Sequence, residues 1–200
     1  MTRKLLFATS NRGKEKEIRR ILSGLKGWEL SFMDGSEGKI DPPEETGKDF
    51  EENAGIKAAF YARHCKDSFV AAEDSGLSVD ALDGAPGIFS ARFKGLSEDR
   101  DKVGALLEAM NGMGPERRGA RFVAVVCLLS PGGKRRFFSG KAEGSISGSP
   151  KGSGGFGYDP VFIPEGFDLT FAEMPPEEKD RLSHRRKALE KLKEFLVETA

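Results

Sequence analysis

The sequence predicts an α/β domain with a mixed sheet, and three observations carry that expectation. Amphipathic helical stretches alternate with short apolar runs through the first half of the chain. A valine-rich run is followed by "SPGG" and a second extended stretch, which reads as a β-hairpin. Neither a long repeat nor a low-complexity linker divides the 200 residues, which are read as a single domain over 1–200.

The elements follow in order. "KLLFA" (Lys4 to Ala8) is a short buried strand, "TSNRGK" the turn after it, and "EKEIRRILSGL" a helix with Ile18, Ile21, Leu22 and Leu25 along one face. "DPPEETG" (Asp41 to Gly47) is a loop stiffened by two prolines. A second helix runs from Asp49 to His64, with Phe50, Ala54, Ala58 and Tyr61 on one side. "FVAA" reads as a strand, "EDSG" (Glu73 to Gly76) as a turn and "LSVDAL" as another strand; "DGAPGIFSARF" is a Gly/Pro-punctuated loop. "SEDRDKVGALLEAM" is a helix for which Ser97 is the expected N-cap. The hairpin pairs "ARFVAVVCLL" with "KRRFFSGKAEGSI", a Gly-rich loop leads to the short strand "VFI", and Leu189, Leu192 and Leu196 face inward from a C-terminal helix capped by Ser183.

Composition excludes some functions. Thirty-two basic residues balance 32 acidic ones, and a formal charge of zero weighs against a general nucleic-acid binder. No apolar run is long enough for a membrane span, and "LLFA" is too short for a signal peptide, so a cytoplasmic protein without membrane partners is expected. Cys65 and Cys127 form no CxxC pair and read as reduced thiols.

Four stretches carry chemistry. Thr9, Ser10 and Asn11 stand where a strand turns into a helix, a place where free backbone N–H groups and the helix dipole favour phosphate, and Lys14 adds a full charge. The acids Glu44, Glu45, Glu73 and Asp74 could hold Mg²⁺, which takes a few carboxylates and completes its shell with water and substrate phosphates. In "GSGGFGYDP", Phe156 and Tyr158 interrupt the glycines, either as exposed rings that stack on a flat base or as the aromatics of a flexible hairpin loop tucked into the core. Finally, His184, Arg185 and Arg186 fall in the first turn of the last helix, where cations oppose the dipole. Either an anionic ligand, joined by Lys179, or the nearby acids Glu177, Glu178 and Asp180 would relieve that conflict.

Six ordered stretches, "FATSNRGK", "EETGKDFEENAGIKA", "AEDSGLSVDAL", "GAPGIFSARF", "GSGGFGYDPVF" and "EEKDRLSHRRKAL", resemble the inosine/xanthosine triphosphate pyrophosphatase family from Lys4 to Leu196. The resemblance implies a long, twisted mixed sheet flanked by helices, two lobes with a cleft between them, a homodimer, and hydrolysis of ITP, dITP and XTP to the monophosphate and pyrophosphate. It implies that Thr9, Ser10, Asn11, Arg12, Gly13 and Lys14 bind the triphosphate, and that Glu44 and Asp74, with Glu73, bind magnesium. Asp74 also matches the proton acceptor, with Lys14 stabilising the leaving pyrophosphate. Ser75, Phe156, Gly157, Tyr158, Asp159, Lys179, His184 and Arg185 match the remaining substrate contacts, with Phe156 as the stacking ring. Many bacterial relatives read Asp-Asp where this chain has Glu73-Asp74, so Glu73 is expected to reach a metal directly or through water.

Overall fold

The computed structural model describes residues 2–33, 41–65 and 67–199. Six strands form one mixed sheet in the order β2-β1-β3-β4-β5-β6. They are β1 (Arg3–Ala8), β2 (Trp28–Phe32), β3 (Phe69–Val79), β4 (Gly119–Leu129), β5 (Arg135–Ile146) and β6 (Phe162–Pro164). β1 pairs in parallel with β2 and β3, and β5 pairs antiparallel with β6, so the expected mixed sheet is present. The helices are α1 (Arg12–Ile21), α2 (Phe50–Ala62), α3 (Asp99–Ala109), α4 (Pro176–Leu182) and α5 (His184–Glu198). The chain divides into two compact units: 1–74, 124–140 and 185–200 form one, and 75–123 with 141–184 the other.

The first unit has a core of its own. Leu5 and Phe7 of β1, Ile18 and Ile21 of α1, Trp28 and Phe32 of β2, and Leu189, Leu192 and Leu196 of α5 are all buried in it. Trp28 donates its indole N–H to the Leu196 carbonyl at 3.0 Å, tying β2 to α5. The second unit packs Leu77, Leu106, Met110, Phe122, Tyr158, Phe162 and Phe171 around its own centre.

Four expectations are corrected. β2 went unread, although Trp28, Leu30 and Phe32 alternate with polar residues as an edge strand should. "EDSG" is not a turn: β3 runs unbroken through it, and Gly76 is required because a Cβ there would collide with the Gly87 carbonyl and the Ser90 hydroxyl. Ser97 does not cap α3; the cap position belongs to Glu98, whose side chain makes no capping bond. α1 begins at Arg12 rather than Glu15, because the Asn11 carboxamide accepts from the Lys14 amide and starts the helix early.

Candidate active site

Because β3 is continuous, its side chains alternate between the two faces of the sheet, and the adjacent acids Glu73 and Asp74 point to opposite sides. Each finds its own cations within the first unit. Glu73, 3% exposed, receives a two-pronged contact from Arg185, with Nε and Nη2 each 2.9 Å from a carboxylate oxygen. Lys14 Nζ lies 3.3 Å from the same carboxylate, and Arg185 Nη1 also donates to the buried Glu17. Burial outweighs this partner at Lys14 and lowers its ammonium pKa. At Arg185 burial is outweighed by Glu73 and Glu17, which push the guanidinium pKa up.

Asp74 faces α2. Its Oδ1 lies 2.7 Å from Lys57 Nζ, and its Oδ2 accepts from the Asn53 amide at 3.4 Å. Burial raises the Asp74 carboxyl above the usual range, against the opposing pull of Lys57 and Lys14. Lys57 Nζ also sits 2.7 Å from Glu45 Oε1, so one ammonium bridges the Pro-stiffened loop and the strand. Desolvation would lower the Lys57 pKa, but Asp74 and Glu45 more than offset it and the net direction is upward. Asn53 is fixed in turn: its Oδ1 accepts from Gly47 N at 2.8 Å, and a Cβ on Gly47 would crowd that oxygen.

The structure thus groups Lys14, Glu73 and Arg185 on one face of β3 and Asp74 with Lys57 on the other. Thr9 and Gly13 are half-buried, while Ser10, Asn11 and Arg12 are exposed in the turn above α1. Glu44 is exposed, and it is Glu45 that reaches Asp74 through Lys57. Glu73, expected near a metal, has its carboxylate committed to Arg185 and Lys14, a consequence of strand alternation aiming it at α1 and α5. The cation conflict at the start of α5 is relieved by protein carboxylates: Glu73 and Glu17 neutralise Arg185, and Glu190 pairs with Arg186 at 2.7 Å. Among the described residues no group of three or more His, Cys, Asp or Glu side chains forms a preassembled metal cage.

Three residues escaped the sequence reading. Lys57 and Asn53 lie one helical turn apart on the stripe of α2 that also carries Ala54, Ala58 and Tyr61. Glu17 shares the buried stripe of α1 with Ile18 and Ile21. A charge or carboxamide on an otherwise apolar stripe was the available signal.

In the second unit, Lys179 and Asp159 form a buried ion pair at 2.6 Å, and the same Asp159 oxygen accepts from Phe156 N at 2.8 Å. Lys179 Nζ stands 4.9 Å from the centre of the half-buried Phe156 ring, within cation–π range. Tyr158 is a core ring whose hydroxyl donates to the Ser90 carbonyl at 3.1 Å; burial raises its pKa. His184 stacks on Phe122 with centroids 4.7 Å apart, and Ser75 is half-buried in β3.

A sequence model of the Ham1 family matches residues 5–195. The chain is 40% identical to the dITP/XTP pyrophosphatase of Oceanobacillus iheyensis, over 97% of this chain and 98% of that one. It is 46% identical to the dITP/XTP pyrophosphatase of Geobacter sulfurreducens, over 98% and 97%. Among solved structures, the Staphylococcus aureus Ham1 protein superposes with a TM-score of 0.87 at 34% identity, covering 99% of this chain and 100% of that one. A nucleoside-triphosphatase/dITP/XTP pyrophosphatase from Mycobacterium abscessus gives 0.77 at 42% identity, covering 94% and 98%. With its sequence matched almost end to end and its α/β fold shared, the chain belongs to the Ham1 family.

Proposed function

We propose that this chain hydrolyses non-standard purine nucleoside triphosphates (dITP, ITP and XTP) to the monophosphate and pyrophosphate, cleansing the nucleotide pool. One observation carries the proposal: Asp74 is a buried carboxylate with a raised pKa, held between Lys57 and Asn53, in a chain whose curated relatives are named dITP/XTP pyrophosphatases. A carboxylate tuned upward is a better proton acceptor near neutral pH than a solvated one. In the reaction, the oxygen of a water forms a bond to the α-phosphorus, and the bond from that phosphorus to the bridging oxygen breaks. The water's proton passes to Asp74, and pyrophosphate leaves with the bonding electron pair.

Thr9, Ser10, Asn11, Arg12 and Gly13 supply donors at the α1 N-terminus for the triphosphate, and Lys14 adds charge that steadies the departing pyrophosphate. Arg185 acts through Glu73: it fixes the carboxylate that in turn orients Lys14. Ser75, Phe156, Gly157, Asp159, Lys179 and His184 contact the rest of the nucleotide, Phe156 by stacking and Tyr158 through the backbone it anchors. Hypoxanthine and xanthine offer an acceptor at O6 and a donor at N1, whereas adenine offers the reverse, so donors aimed at O6 reject ATP by leaving a buried polar group unpaired.

The chemistry of the donors suits Mg²⁺. Asp74 and the neighbouring loop acids are hard oxygen ligands, and the Lys57 ammonium between Asp74 and Glu45 marks a place where positive charge is favoured. Asp74 and Glu44 are the residues that would hold the ion, which would neutralise charge on the phosphate oxygens. The homodimer and the cytoplasmic location belong to the same proposal; they rest on the family resemblance and on the sequence, in which no described helix is long and apolar enough to cross a membrane. The test is pyrophosphate release from dITP, ITP, XTP, dGTP and ATP, with and without Mg²⁺. Preference for the first three is expected, and equal rates on all five would overturn the assignment.

A further inference from the structure

We infer that Asp99, at the start of α3, is a positioning residue for the loop that carries Phe156. The inference rests on the reading of that loop as the base-binding element. Each residue of the loop from Phe156 to Asp159 is tethered within the second unit. The Phe156 amide donates to Asp159, the Tyr158 hydroxyl donates to Ser90, and Asp159 receives Lys179. The remaining tether comes from a distant element: Gly157 N–H donates to Asp99 Oδ2 at 2.7 Å. Gly157 has φ +63, a left-handed conformation that costs glycine little but does not hold itself in place. The bond to Asp99 fixes that amide and, one residue earlier, the direction of the Phe156 ring.

Asp99 is itself braced. Its other oxygen lies 2.9 Å from Lys102 Nζ, and Lys102, 6% exposed, donates to the Ala91 carbonyl at 3.3 Å. Ala91 belongs to the 3₁₀ segment Gly87–Gly95, which also carries Ser90 and therefore the anchor of Tyr158. Asp99 and Lys102 thus join the start of α3, the 3₁₀ segment and the aromatic loop into one frame. The bonds from Lys102 and Gly157 outweigh partial burial and hold the Asp99 carboxyl below its ordinary pKa. α3 has no side-chain N-cap bond, and the two Asp99 oxygens go to Lys102 and to Gly157.

The experiment compares Asp99→Ala, Asp99→Asn and Phe156→Ala in the full-length chain. It reads kcat and KM for dITP, inhibition by inorganic tripolyphosphate and the melting temperature. Asp99 is half exposed by its side chain, so the substitution leaves the core intact. Asp99→Ala is expected to raise KM about tenfold, the worth of one charge-assisted hydrogen bond, with kcat and tripolyphosphate inhibition unchanged. Asp99→Asn keeps an acceptor for Gly157 N–H and is expected to restore most of the KM. If Phe156→Ala raises KM while Asp99→Ala does not, the positioning role is overturned and the base-loop reading stands. If neither substitution moves KM, the base-loop reading falls and the inference with it. A parallel loss of kcat and melting temperature that Asn fails to restore would make Asp99 merely structural, and would also overturn the inference.

Discussion

Replacing Arg185 with Met removes the guanidinium that neutralises Glu73 and Glu17 while keeping most of the side-chain volume. The side chains of Arg185 and Glu73 are 2% and 0% exposed, and that of Glu17 is 6% exposed, so both carboxylates would be left buried without their main cation. Breaking a buried pair from one side costs about 3–5 kcal/mol, because the stranded charge stays desolvated. Against a total stability of about 5–15 kcal/mol, that is a large share. Arg186 is the internal control: its pair with Glu190 is 35% and 48% exposed, and Arg186→Ala is expected to cost only about 0.3–0.5 kcal/mol. Urea unfolding followed by the fluorescence of Trp28, the single tryptophan, reads the first unit directly, because its indole N–H bonds to α5. Adding Glu73→Gln to Arg185→Met is expected to recover part of the loss. A loss below about 1 kcal/mol, the range of exposed pairs, would refute the network and return Arg185 to a purely substrate-contacting role.

Two further predictions follow from burial. The proposed mechanism requires Asp74 ionised, and its raised pKa means that activity is expected to be lost as pH falls through a value above 3.8. It also requires Lys14 charged, and its lowered pKa means that activity is lost as pH rises through a value below 10.5. Both limbs of the kcat/KM profile therefore move inward from those of free side chains, and a profile flat to alkaline pH would contradict the assignment of Lys14. The Cys127 thiol, buried in β4 and pushed up to about 11 by desolvation, is expected to resist alkylation until the chain unfolds, whereas the half-buried Cys65 reacts first. Peptide mapping after iodoacetamide treatment checks the order, and rapid native labelling of Cys127 would contradict it.

Where local periodicity decides, the sequence was legible. The buried leucines of α5 and the valine-rich run with its "SPGG" turn are properties of neighbouring residues, and α5 and the β4–β5 strands appear where those patterns place them. "EDSG" misled because two acids, a serine and a glycine have turn composition. What lets them stay buried in a strand, with their charges neutralised, is supplied by Arg185, more than a hundred residues later, and by Lys57 on α2. The site shows the same division. The turn from Thr9 to Lys14 and the acids of β3 were visible as residue types, but the split of Glu73 and Asp74 between two faces depends on the strand being continuous. Lys57 carried a weaker mark, a cation on an apolar helical stripe, whose meaning appears only when Asp74 is opposite it.

Asp74, gripped by Lys57 and Asn53, is proposed as the group that makes pyrophosphate release possible. Asp74→Asn keeps the shape of the side chain and removes its charge, so the initial rate of pyrophosphate release from dITP in Mg²⁺, measured beside the parent chain, tests the claim directly. A fall of about 10²–10⁴-fold is expected, with the Trp28 fluorescence of the folded state retained. A folded Asn variant that releases pyrophosphate at the parent rate would contradict it.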